Sequence, residues 1–417
     1  MVRIAVPALG IRIMFGRMSM RITAVAGRYG EAKSITPIHR SAYSRLNSCP
    51  WGNPEYETGG WQVLVREIRR FLLDHIMKTY KHLWEEFISK ENFEVAYRKS
   101  MKGKSKQRQV RKFNLNAEEN LEVVRQSVVN GMFKTSRYRQ RKIFEPKERI
   151  IYKLPYSPDR IVQHAIMNIL EPILTNLMIE NTYSCIKGRG QIKASQKCSE
   201  YVRKNKYCLK CDISKFYPSI NQKILSDKFH RIIKDSKFMA VLDDVIFSFE
   251  GGYNCPIGNY LSQWCGNFYL SFMDNYILHQ LKPNGYLRYC DDFILFSNDK
   301  RFLHDCKKQI GLFLQEYELK FSKAEVFDTK QGVDFCGYRH FKKYVLIRKS
   351  TSKRIKRRIT NIRKGIEKNW NLNLAKIEGQ VASAHGVLKH ACSYNYRISL
   401  GLDALKSNIV LLKGASA

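Results

Sequence analysis

No run of about 18 apolar residues occurs in this chain, so no transmembrane helix is expected. Acid is scarce: 37 Asp and Glu stand against 73 Lys and Arg, giving a net charge of +36. That excess disfavours an isolated compact state and points to a polyanionic partner, nucleic acid foremost. The 11 cysteines are odd in number and lack disulfide-like spacing, which suits a reducing, cytoplasmic setting. Cys208 and Cys211 make a lone CxxC with no second pair, so a zinc site is not expected. Three apart on a strand, they point to opposite faces and read as buried thiols. Residues 1–27 contain arginines and no acid, and Arg12 and Arg17 interrupt the only apolar stretch. A secretory signal is therefore not expected; a transit-like or irregular extension is.

What is present is a chain of 417 residues, long enough for two or three domains. Residues 1–70 show no clear period, and Asn47 to Pro54 is rich in turn formers. This stretch is either a loosely ordered extension or a translated upstream segment, with the true start later, for instance at Met77. Residues 61–101 carry an apolar stripe at helical spacing, from Trp61 through Leu64, Ile68 and Leu72. A dense basic stretch follows at 98–112, and a helix at 117–129. The apolar segment 159–180 reads as a helix. Strands and helices then alternate: a strand near 207–212, helices near 220–233 and 258–280, a hairpin near 286–297 and a helix near 301–317. Residues 342–368 form a basic amphipathic helix, with Ile355, Ile359, Ile362 and Ile366 beneath the charge. Two further helices run through Leu405. Mixed strands with helices on a face predict an α+β class.

Chemistry concentrates at Tyr289-Cys290-Asp291-Asp292. Apolar runs flank two adjacent acids, which reads as strand, two-residue turn, strand, with Asp tolerating the backbone that a tight turn demands. Adjacent carboxylates repel, so the pair suggests a cation that offsets the repulsion. Asp212 ends the strand at 207–212 and supplies a third carboxylate. Such a set can hold hard, oxygen-seeking cations such as Mg²⁺, two of which can clamp an in-line phosphoryl transfer.

With these residues the chain resembles the reverse transcriptases, over roughly residues 80–400. Tyr289 to Asp292 matches the family's Tyr-x-Asp-Asp box and Asp212 its first palm motif. Lys147-Glu148-Arg149, Leu154-Pro155 and Asp159 to Gln163 resemble the fingers motif, as does Tyr183 to Gly190 the next one. Gly332 to Tyr338 resembles the primer grip, and Ser393 to Tyr396 closes a thumb-like helix. The resemblance implies a right-hand polymerase fold: an extension at 1–70, fingers at 71–195, palm at 196–345 and a helical thumb at 346–417. Catalytic and metal ligands would be Asp212, Asp291 and Asp292, with the Ile213 backbone. Two Mg²⁺ would bind, Mn²⁺ substituting. Nucleotide contacts would come from Lys147, Arg149, Tyr217 as steric gate, Ile257, Gly258, Ser262 and Gln263. The primer grip would be Phe335, Gly337 and Tyr338. Lys102, Lys104, Arg108, Lys353, Arg354, Arg357 and Arg358 would meet nucleic-acid phosphates.

One segment narrows the resemblance. Most relatives carry Gln-Gly-x-x-x-Ser-Pro beside the nucleotide; here it is Ile257-Gly258-Asn259-Tyr260-Leu261-Ser262-Gln263. That variant is similar to the reverse transcriptases of diversity-generating retroelements. These copy a template RNA into cDNA with errors at adenines and work with a small basic helical accessory protein. A departure is that Glu325 stands where relatives place a general-acid lysine, with Lys323 two positions early. The alternatives are another bacterial reverse transcriptase, of group II intron or retron type, and a non-catalytic RNA-binding scaffold. The short region after the thumb disfavours the intron protein, and retention of all three aspartates disfavours the scaffold.

Overall fold

A computed structural model describes residues 2–6, 11–16, 19–24, 34–35, 78–144, 148–368 and 373–414. The chain divides into two units, residues 1–79 and 80–417. In the first, β1 (Val2–Val6), β2 (Ile11–Gly16), β3 (Ser19–Ala24) and β4 (Ser34–Ile35) form an antiparallel sheet in sequence order. The sequence reading finds no period there, yet Ile11, Ile13 and Phe15 alternate with Arg12 and Met14 along β2, as a strand allows.

In the second unit the helix expected at 61–101 lies outside the described residues up to position 77. Beyond that it is broken. Trp84–Ile88 ends at Ser89, whose hydroxyl accepts from the Asn92 N–H at 3.1 Å and starts Lys90–Met101. Ser at this position satisfies an orphan donor of the new helix. The basic stretch then enters Arg108–Asn114, followed by Ala117–Val129. These helices gather on Ile161–Leu177, whose Ile161 to Met167, Ile169, Leu170, Ile173 and Leu174 are all buried. Asn92 secures the contact by donating to the Phe87 and Ala165 carbonyls at 2.7 and 3.3 Å. Between these helices runs a two-stranded hairpin, β5 (Arg139–Ile143) and β6 (Arg149–Lys153).

The central sheet is four-stranded, in the order β10 (Phe321–Asp328), β7 (Tyr207–Ile213), β9 (Asp292–Ser297), β8 (Gly285–Tyr289), with every neighbour antiparallel. Strands β7, β8 and β9 are largely buried, as in a sheet covered on both faces, whereas β10 is half-buried to exposed. On one face Cys208, Leu287, Ile294 and Phe296 pack with Ala194, Cys198 and Val202 of helix Gln191–Lys204, and with Val333 and Phe335. Helices Tyr260–Tyr276 and Lys300–Glu316 serve the other face. Cys208 and Cys211 are both fully buried thiols. The helix expected at 258–280 begins at Tyr260 and ends in a wider turn at Ile277–Leu281.

Three short strands, β11 (Val333–Phe335), β12 (Tyr338–His340) and β13 (Val345–Ile347), make a small antiparallel sheet. The chain then enters helices Lys349–Glu367, Leu374–Leu388, Tyr394–Ser399 and Leu402–Gly414. Ile355, Ile359 and Ile362 pack there with Ile377, Val381, Leu388 and Leu402. Ser393 to Tyr396 opens a helix rather than closing one. Among the described residues no helix is long and apolar enough to cross a membrane.

Candidate active site

Strand register brings the carboxylates together. Asp212 of β7 pairs with Asp292 of β9, and opposed residues of an antiparallel pair share a face. Asp291 lies in the turn between β8 and β9. This turn differs from its sequence reading. Cys290, not an aspartate, takes the left-handed backbone, at φ +57°, and Asp292 already belongs to the strand. Asp212 Oδ2 accepts from Ser322 Oγ at 2.6 Å. Lys210 Nζ lies 3.5 Å from Asp292 Oδ2 and donates to the Asp334 carbonyl.

Burial raises the Asp291 carboxyl above the usual carboxylate range; Asp212 adds to this, and Arg149 and Arg288 oppose it. Burial pushes Asp292 up to about 7, against Lys210 and with help from Asp212 and Asp291. Asp292 Oδ1 is buried without a partner. These carboxylates are short of positive charge, which is what a hard cation supplies. Among the described residues no three His, Cys, Asp or Glu side chains form a ready-made cage. Mg²⁺ fits such a half-site, because it keeps waters and takes one or two carboxylates plus substrate phosphates. Ile213 could contribute only its backbone carbonyl, its side chain being buried.

The nucleotide-side residues divide. Lys147 lies outside the described residues. Arg149 opens β6, is exposed, and its charge acts on Asp291. Tyr217 sits in the short helix Phe216–Ser219 with Asp291 and Cys290 near its hydroxyl. Its ring presses on Gly266, where an added Cβ would meet it at 3.1 Å. Ile257 is half-buried and its carbonyl accepts from the Tyr152 N–H at 2.8 Å. Gly258, at φ +123°, permits that approach: a Cβ would fall 2.3 Å from the Tyr152 carbonyl oxygen. The neighbour it admits is thus the β6 backbone. Gln263 is exposed and accepts from Cys185 Sγ at 3.2 Å, whereas Ser262 is buried.

Two expected primer-grip side chains face elsewhere. Phe335 and Tyr338 are buried, and the Tyr338 hydroxyl donates to the Val387 carbonyl at 3.0 Å. Strand alternation turns both rings into the core; what the β11–β12 hairpin presents is its Cys336–Gly337 turn, at φ +49° and +83°. Of the basic residues, Lys102, Arg108, Lys353, Arg354, Arg357 and Arg358 are exposed and Lys104 is half-buried. Lys323 pairs with Glu325 at 3.0 Å on exposed β10, so the out-of-place lysine meets the acid that displaced it. The sequence reading missed Lys210 and Arg288. A charged residue inside each apolar run, Leu209-Lys210-Cys211 and Tyr286-Leu287-Arg288, was the available signal.

Residues 141–340 match the sequence model of the family described as reverse transcriptase (RNA-dependent DNA polymerase). The chain is an RNA-directed DNA polymerase. Its reverse transcriptase domain contains the hairpin β5–β6 from Arg141 on, all of the central sheet and the three aspartates. The retron Ec73 reverse transcriptase of Escherichia coli is 26% identical over an alignment of 267 residues that covers 58% of this chain and 80% of that protein. RNA template and deoxynucleoside triphosphates are accordingly the substrates, and divalent ions the metal class.

Proposed function

We propose that residues 71–195, 196–345 and 346–417 act as fingers, palm and thumb of a right-hand polymerase, with residues 1–70 as an extension. The observation that carries this reading is the register of β7 on β9, which sets Asp212 against Asp292 beside Asp291. Asp212 and Asp291 would hold the metals, with the Ile213 carbonyl, while Asp292 pairs with Lys210. Divalent cations held there would acidify the primer 3′-hydroxyl and support the departing pyrophosphate. Arg149 grips the triphosphate by charge-assisted hydrogen bonds. The Tyr217 ring, backed by Gly266, excludes a ribose 2′-hydroxyl. Exposed Lys353, Arg354, Arg357 and Arg358 track phosphates from the helix Lys349–Glu367.

Within that activity we infer error-prone copying at template adenines, as in a diversity-generating retroelement. Ile257 supports this. A Gln there could hydrogen-bond near the nascent pair, and an aliphatic side chain cannot. Apolar contact discriminates only by about 1–3 kcal/mol. A small basic helical accessory oligomer and a cytoplasmic setting belong to the same reading. Similarity to a retron reverse transcriptase favours a second one, faithful cDNA synthesis of retron type. Sequencing cDNA made by the wild type and by Ile257→Gln separates them. Errors concentrated at adenines in the wild type and reduced in Ile257→Gln are expected. Equal accuracy at all template bases in the wild type would favour the retron reading; identical error spectra would remove Ile257 from the account.

A further inference from the structure

Arg288 is fully buried in β8, beneath the turn that carries Asp291. A buried guanidinium is tolerated only when its charge and donors are met. Its Nε and one terminal nitrogen donate to the two oxygens of Asp274, at 2.8 and 2.6 Å. Asp274, also fully buried, further accepts from the Tyr286 hydroxyl at 2.6 Å and from Thr182 Oγ at 3.1 Å. The other terminal nitrogen of Arg288 donates to Asn267 Oδ1 at 3.0 Å and to the Cys290 carbonyl at 2.9 Å. Asn267 in turn donates to the Ser184 carbonyl at 2.8 Å. One planar fork therefore joins helix Tyr260–Tyr276 to the peptide between Cys290 and Asp291.

That peptide needs holding. Cys290 has a Cβ, yet sits in the left-handed region that favours glycine. Such a conformation persists only when its surroundings over-determine it. The Arg288 hydrogen bond orients the carbonyl of the residue directly before Asp291, so it sets the direction in which the Asp291 carboxylate leaves the turn. We propose that Arg288 is a positioning residue for the metal site: it aims Asp291 by clamping the Cys290 carbonyl, with Asp274 and Asn267 holding the clamp. This rests on the reading that Asp212 and Asp291 bind the metals. Lysine cannot replace this fork, because an ammonium lacks its fixed planar donors.

Three variants test the proposal: Arg288→Lys, which keeps the charge beside Asp274; Thr182→Val, which removes one hydrogen bond to Asp274 but leaves every donor of the Arg288 fork in place; and Asp291→Asn. Mn²⁺ binding to each enzyme with bound primer–template is titrated by electron paramagnetic resonance, alongside primer extension and Tm. Arg288→Lys should weaken Mn²⁺ binding roughly 10- to 100-fold, the usual range for a residue supporting a metal ligand. Its KM for primer–template should stay unchanged, with kcat recovering in part at high metal. Thr182→Val should lower Tm and leave Mn²⁺ binding as in the wild type. If Arg288→Lys lowers Tm and kcat but binds Mn²⁺ as tightly as the wild type, Arg288 is only a core ion pair. If Thr182→Val weakens Mn²⁺ binding as much, the effect is general loosening and the clamp is overturned. If Asp291→Asn keeps activity and Mn²⁺ binding, the metal-site reading fails instead, and the two failures are told apart.

Discussion

The hairpins β8–β9 and β5–β6 share a topology and are built in opposite ways. In β8–β9, Gly285 to Arg288 and Phe293 to Ser297 are buried, and a buried guanidinium holds the turn. In β5–β6, Arg139 to Lys142, Arg149, Ile150 and Lys153 are exposed. That hairpin is anchored near its base, where Tyr152 packs edge-on against Phe249 at 5.0 Å and donates its N–H to the Ile257 carbonyl. The contrast suits the work proposed for each. A carboxylate that must hold a metal tolerates displacement of only about 0.5 Å. A cationic arm proposed to meet a triphosphate works through charge, which falls off gently with distance, so it can stand in solvent.

Removing the metal-bearing carboxylate should have the largest effect. Asp291→Asn should abolish primer extension while RNA binding and Tm stay near wild-type values, because the turn and its clamp remain. Comparable extension by this variant would put the metal site elsewhere. On the exposed hairpin, Arg149→Ala should cost roughly 1.5–3 kcal/mol, the worth of a charged hydrogen bond, read mainly as a raised KM for the nucleotide. A large fall in kcat at unchanged KM would contradict the comparison, since it would make the exposed arm part of the rigid site.

An effect on stability alone, confined to acid pH, concerns β11–β12, whose core-facing residues resemble the first hairpin. His340 is fully buried, 2.8 Å from Ser199 Oγ, and burial lowers its imidazole to about 4, with Lys210 adding and Asp334 opposing. Burial also lowers His164, stacked on Tyr260, to about 4. The folded state thus binds these protons less readily than the unfolded chain. Stability is full above the ordinary imidazole value of about 6.5 and falls as pH drops towards about 4, by roughly 2–4 kcal/mol per histidine. Tm measured across that window should decline, and His340→Gln should flatten part of the slope. An unchanged slope in the variant would show that His340 is not buried neutral.

Much of this was legible in the chain. The apolar runs flanking Asp291 and Asp292, the strand ending at Asp212 and the isoleucine stripe under Lys353 to Arg358 are local patterns, and the structure places them on those elements. The errors have two sources, one local and one set by distant packing. Ser89 breaks a helix that periodicity joins, because a capping hydroxyl outweighs the continuing pattern. Phe335 and Tyr338 match a motif, but whether a strand residue faces core or solvent is set by what covers the sheet.

The sequence by itself determined the class of chemistry. Its charge demanded a polyanion, and its three aspartates with their flanking apolar runs specified strands bearing metal-seeking carboxylates. Only the tertiary structure decided how those carboxylates are aimed. Asn267 and Asp274 reach Arg288 from a helix, Lys210 reaches across strands to Asp292, and the β6 backbone meets Gly258. Each of these is a contact between segments far apart in the chain or on different elements, and around Arg288 it is made where water is excluded. There a polar group must find a protein partner, and neither periodicity nor motif spacing records which one.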